Sequence, residues 1–161
     1  MTPFSAWEDV SPYIPRHLTL WEAFYGDGTS GDHLAELGFD VIHEDVDFFT
    51  HDLGECVVTN PPFSELPRVL ARLRELGKPF VVIMPCSTLT TRYFRDLFPD
   101  IQVIVPRRRI QFSKLVDGVE VPSGRCSFDC LYFLLATRVA EGRRVLDVMA
   151  VSTLPSKMKR K

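Results

Sequence analysis

Short apolar runs, each closed by a glycine, a proline or an acidic turn, recur along this chain. They predict buried strands at residues 18–24, 39–43, 57–59, 80–84 and 101–105. Between them the apolar spacing changes from strand-like to helical. Residues 32–37 read as a helix capped by Gly38. Residues 66–76 read as an amphipathic helix with Val69, Leu70 and Leu73 as its core stripe, Ser64 as its cap and Pro67 in its first turn. A short helical pattern precedes Tyr13-Ile14-Pro15, and residues 88–98 read as a further helix. Strands alternating with helices predict an α/β fold, a mostly parallel sheet with helices on both faces. Residues 128–136 and 145–151 predict a strand pair closing that sheet with an antiparallel edge, while residues 113–127 read as a polar loop.

Composition leaves this picture intact and narrows the class. A chain of 161 residues with 45% hydrophobic and 25% charged content predicts one globular domain, taken as residues 1–155, with 156–161 as a basic tail. No apolar run approaches the ~18 residues of a membrane span. No charged n-region with an apolar stretch opens the chain, so neither a span nor a signal peptide is expected. Cys56, Cys86, Cys126 and Cys130 lack paired spacing and read as free thiols in a reducing compartment, cytoplasmic or nuclear; a Cys126/Cys130 metal site is the alternative. His17, His33, His43 and His51 show no metal-ligand spacing, so no metal is expected. Net charge is −2, yet it is unevenly distributed. Residues 1–106 hold 7 Lys+Arg against 16 Asp+Glu, and residues 107–161 hold 12 against 5. A basic carboxyl-terminal third can neutralise a phosphate backbone or simply form a solvated surface.

Candidate chemistry gathers at the ends of the predicted strands. Val57 to Thr59 runs into Asn60-Pro61-Pro62-Phe63, where two prolines stop the strand and fix the backbone. An amide that can donate and accept, two carbonyls barred from a helix and an aromatic face make a holder for a planar amino group. Earlier in the chain, Tyr25-Gly26-Asp27-Gly28-Thr29-Ser30-Gly31 is a glycine turn between a strand and a helix, as in nucleotide-binding crossovers. Many such turns bind nothing. This one lacks Gly-Lys-Ser/Thr, which favours a ligand with adenine and ribose over a polyphosphate. Glu22 lies within an apolar run, where an unpaired carboxylate is costly, so a partner in the turn or a ligand is expected. Asp45 stands where a ribose diol is gripped, and Asp47 with Phe48-Phe49 offers an acceptor and a ring to an adenine. Arg107, Arg108 and Arg109 are candidates to track phosphates.

Taken together, these residues resemble the small DNA adenine-N6 methyltransferases of phages and large viruses. The resemblance rests on Asn60-Pro61-Pro62-Phe63, on Thr2-Pro3 with Ala6-Trp7-Glu8-Asp9, and on Trp21-Glu22-x-Phe24-Tyr25-x-Asp27-Gly28. Gly38-Phe39-x-Val41-Ile42-His43, Asp47-Phe48-Phe49, Lys78-Pro79-Phe80 and Arg107-Arg108-x-Ile110-x-Phe112 extend it over most of the chain, in one order. It implies a single-domain, Rossmann-like, seven-stranded sheet with S-adenosylmethionine as cofactor, DNA as partner and a virus-encoded origin. It also implies that Thr2, Pro3 and Trp7 lie over the cofactor's methionine end, and that Glu22, Phe24, Gly26, Asp27 and Gly28 form the cofactor loop. Asp45 would take the ribose, and Asp47 with Phe48 the adenine. Asn60 and the Pro61 carbonyl, on a corner stiffened by Pro62, would hold the target amine while Phe63 stacks on the base. RNA or a protein glutamine as acceptor, and a non-catalytic nucleic-acid-binding relative, are the alternatives. Nothing after Phe63 provides a separate target-recognition domain, so a short sequence context is expected.

Overall fold

Phe80-Val81-Val82-Ile83-Met84 is buried along its length, and its side chains alternate between two apolar layers. A strand apolar on both faces must be covered on both, and this one sets the architecture. In the computed structural model, which describes residues 1–98, 101–117, 119–123, 129–135 and 152–153, it is β4, Phe80–Pro85. Four helices are named in chain order: α1 Phe4–Val10, α2 Thr29–Glu36, α3 Leu66–Leu76 and α4 Arg92–Leu97. The strands before β4 are β1 Leu20–Trp21, β2 Val41–Ile42 and β3 Cys56–Thr59. Those after it are β5 Gln102–Val105, β6 Ser113–Val116, β7 Val119–Pro122, β8 Cys130–Leu135 and β9 Ser152–Thr153.

One layer packs Trp7 and Val10 of α1 and Leu34 of α2 on Val58, Val81, Ile83 and Tyr132. The other packs Leu66, Val69, Leu70 and Leu73 of α3 and Phe94 of α4 on Val57, Phe80, Val82, Met84 and Phe133. The result is a helix–sheet–helix sandwich of the α/β, Rossmann-like class, as the sequence predicts. Its seven-stranded sheet has the order β2-β1-β3-β4-β8-β5-β9. The pairs β1/β2, β1/β3, β3/β4 and β5/β9 are parallel. The antiparallel strand β8 belongs to the closing half of the sheet, inserted between β4 and β5. Its Tyr132 phenol donates to the Ala6 carbonyl at 2.7 Å and so ties α1 to the sheet.

Several elements differ from expectation. β1 and β2 are two residues long, because only those positions pair on β1's two sides before the chain turns to its loops. Residues 113–123 contain a hairpin where a loop is expected: β6 and β7 pair antiparallel around a turn that begins at Asp117, whose φ is 51°. Asp-Gly with apolar residues alternating on either side is a hairpin signature, obscured here by the charged residues among them. Ser64 does not cap α3; a 3₁₀ turn over Phe63–Glu65 leads into the helix and Glu65 takes the cap position, with no side-chain cap bond. The stretch 88–98 divides into a 3₁₀ turn, Cys86–Thr90, and α4. The expected strand at 145–151, the tail at 156–161 and Cys126 lie outside the described residues. No helix among the described residues is long and apolar enough to cross a membrane.

Candidate active site

After β1 the chain builds β2 on one side of it and β3 on the other. The carboxyl ends of β1 and β3 therefore flank the point where the sheet's winding reverses, the crevice where open α/β sheets bind ligands. Glu22 follows β1 and Asn60 follows β3. Thr59 Oγ1 donates to Glu22 Oε1 at 2.6 Å and bolts the two strand ends together. Glu22 is 1% exposed, and its Oε2 has no hydrogen-bond partner among the described residues. Burial pushes its carboxyl up to about 8, against the opposing effect of the Thr59 hydroxyl and the Phe24 backbone; the Asp27 charge adds to the rise.

Asn60 is held from the other end of the chain. Its Nδ2 donates to Thr2 Oγ1 at 3.0 Å, which fixes the amide and leaves Oδ1 buried with no partner among the described residues. An orphaned buried acceptor is costly in a native fold unless a donor reaches it. Three cavities meet at this residue. The first, about 380 Å³, is lined by Thr2, Glu22, Gly26, Asp27 and Lys114 among others. The second, about 480 Å³, is lined by Asp45, Asp47, Phe48 and Pro62. Phe24, Tyr25 and Gly26 line both, so these are two lobes of one crevice. The third, about 290 Å³, is lined by Pro61, Pro62, Phe63 and Phe112. Asn60 lines all three.

The crevice is elongated, with acidic side chains in both lobes. Gly26 stands where its lobes join, with φ of 60°; a Cβ there would meet only the Phe24 carbonyl, at 3.7 Å, and would project into space the ligand needs. Two carboxylates, Asp45 and Asp47, line one lobe, and Asp47 Oδ1 also accepts from the Phe49 N–H at 3.0 Å, shaping its own turn. Phe48 is 2% exposed and packs against Trp21 and Phe24, a wall rather than a free ring.

Three residues expected at the cofactor sit elsewhere. Trp7 is wholly buried, its indole donating to Ser30 Oγ at 2.9 Å, so it supports the crevice from behind. Pro3 lines a different cavity. Gly28 takes φ of 82° at the start of α2 because its N–H closes the turn onto the Tyr25 carbonyl, at 2.8 Å, and it lines neither lobe. Conversely, Lys114 lines the site without any sequence signal of its own, and Phe112, quoted in the motif that follows the arginines, lines the amide corner. Both belong to the stretch continuing the arginine run, and alternate residues entering a strand share a face.

Arg107, Arg108 and Arg109 line a cavity of about 350 Å³ with Pro3, Asp9 and Gln111. Arg109 pairs with Asp129, Nε to Oδ1 at 3.2 Å, while Arg107 and Arg108 are exposed. The arginines thus line a separate cavity, and Phe112, three residues beyond Arg109, connects their stretch to the amide corner. Among the described residues no cluster of three or more His, Cys, Asp or Glu is arranged to hold a metal ion.

No protein-family model and no curated protein matches the sequence. Among solved structures, the tRNA (m1A58) methyltransferase TrmI of Aquifex aeolicus matches with a TM-score of 0.44 at 12% identity, over 81% of this chain and 66% of that one. A SAM-dependent O-methyltransferase of Thermotoga maritima matches with the same score and identity, over 81% and 63%. A precorrin-6y C5,15-methyltransferase of Geobacter metallireducens matches at 0.43 and 13%, over 79% and 83%. This chain spans just under two thirds of the length of the first two. Likenesses so distant carry nothing about ligand or substrate.

Proposed function

We propose that this protein transfers a methyl group from S-adenosylmethionine to the N6 amine of adenine in DNA. The observation that carries the reading is that Asn60, whose Oδ1 has no partner among the described residues, lines both lobes of the crevice and the aromatic-walled cavity. Bound in that crevice, S-adenosylmethionine supplies a methyl group on a positively charged sulfur. Glu22, Phe24, Gly26 and Asp27 hold its amino-acid side, while Asp45, Asp47 and Phe48 hold its nucleoside.

What the protein contributes is orientation and electrostatics. The lone pair of an adenine N6 is conjugated into the ring and is a poor nucleophile. Asn60 Oδ1 accepts from one N–H of the amine, and the Pro61 carbonyl accepts from the other. Those two bonds draw the nitrogen toward tetrahedral geometry and release its lone pair toward the crevice. Thr2 keeps the amide from turning its donor toward the amine. Pro61 and Pro62 keep the corner from relaxing into a helix. Phe63 and Phe112 form the walls against which a base lifted from the duplex recovers stacking. Arg107 and Arg108 neutralise phosphates next to it.

Purified protein, labelled S-adenosylmethionine and three acceptors (DNA, RNA and a glutamine-containing peptide) test the reading. Label recovered from DNA as N6-methyladenine is the expected result. Label on RNA or peptide alone would move the activity to another amine.

A further inference from the structure

Lys114 reaches the crevice from β6, a strand in what the sequence presents as a polar loop. It lines the first lobe with Met1, Glu22, Asp27, Ser30 and Asn60; the other cationic group there, the Met1 ammonium, donates to the Ser113 carbonyl. No ion pair or hydrogen bond within the described residues engages its ammonium. Its position is anchored. Ser113 and Met1 exchange backbone hydrogen bonds, so the strand bearing Lys114 is joined to the segment that presents Thr2 to Asn60.

A cation thus shares one lobe with two carboxyl side chains, Glu22 and Asp27. A ligand group matching that arrangement carries a carboxylate and an ammonium close together, as an α-amino acid does. The opposite lobe, with its acids and aromatic wall, matches a nucleoside. We infer that Lys114 is a cofactor-binding residue that pairs with the α-carboxylate of the bound nucleoside's amino-acid part, so the hairpin sets which sulfur-bearing adenosine derivatives the crevice accepts. The inference rests on the reading above, that the crevice holds S-adenosylmethionine.

Calorimetry with the full chain and two probes tests it: S-adenosylmethionine, and 5′-methylthioadenosine, which keeps the nucleoside and a methylated sulfur but lacks the amino acid. Lys114→Met is expected to weaken S-adenosylmethionine roughly tenfold, the worth of a charge-assisted contact at an exposed site. It should leave 5′-methylthioadenosine within about twofold, because that probe never touches the ammonium. Lys114→Arg should restore most of the loss. Two results would overturn the assignment alone: Lys114→Met binding S-adenosylmethionine as tightly as the unmodified chain, or weakening both probes alike. An unmodified chain that binds neither probe would overturn the proposed function together with it.

Discussion

At the scale of single residues the account depends on two polar groups placed where polar groups are expensive. Thr2 is one half of a contact between residues 58 apart in the chain, and its hydroxyl fixes the Asn60 amide by accepting from Nδ2. Thr2→Val should slow methyl transfer by roughly tenfold, the worth of one hydrogen bond in a buried site, and leave S-adenosylmethionine affinity nearly unchanged. Equal losses in both would show Thr2 to be a general support of the crevice. Glu22 gives a pH signature. Its folded carboxyl is raised to about 8 from 4.5, so its contribution to stability is whole below pH 4.5 and is lost as pH rises through 8. Thermal melts should show the unmodified chain losing stability across that window, by no more than about 5 kcal/mol, and Glu22→Gln losing much less. Parallel curves would contradict a buried neutral acid. Of these residues the sequence displayed the types and the spacing: Glu22 stands out in an apolar run, and Asn60 before two prolines. Thr2's partnership with Asn60 was not legible, since nothing local links two residues so far apart in the chain.

At the scale of elements, the strands and helices follow from patterns a reader of the sequence can find, and the failures have causes. The unbroken apolar run of β4 and the helical stripe of α3 are pattern signals, and both stand. β1 and β2 shrank because pairing partners on the neighbouring strands, not local propensity, set where a strand ends. The β6–β7 hairpin was missed because Lys114, Asp117 and Glu120 make the segment look like solvent-facing loop, although it supplies a wall of the site. Packing between elements makes a further test. Gly31, in the first turn of α2, lies so close to β2's follower His43 that a Cβ would come within 2.2 Å of its ring and 2.5 Å of its Cβ. Gly31→Ala should destabilise the fold by about 1–3 kcal/mol through overpacking, read as a lower denaturation midpoint. An unchanged midpoint would mean α2 can withdraw from the sheet without cost.

At the scale of the whole molecule, an acidic portion carrying the crevice adjoins a basic one carrying the arginines and the hairpin. Arg107 and Arg108 are exposed and line a cavity of their own, on the stretch that leads to Phe112, and exposed guanidinium groups suit a phosphate track. Replacing both with alanine should weaken DNA binding at every sequence and reduce the slope of log affinity against log salt by about 2. A slope that does not change would remove them from the phosphate track. The link between the arginine stretch and the corner emerges only when Phe112 is seen lining the same cavity as Phe63. Single-turnover transfer from labelled S-adenosylmethionine to an adenine-containing DNA strand, measured for Asn60→Ala with cofactor affinity determined on the same preparation, bears most directly on the central claim. The account predicts that transfer falls by at least about a hundredfold while cofactor affinity stays within twofold. Transfer at the unmodified rate would contradict it, because the amine would then be activated somewhere other than at the corner where the three cavities meet.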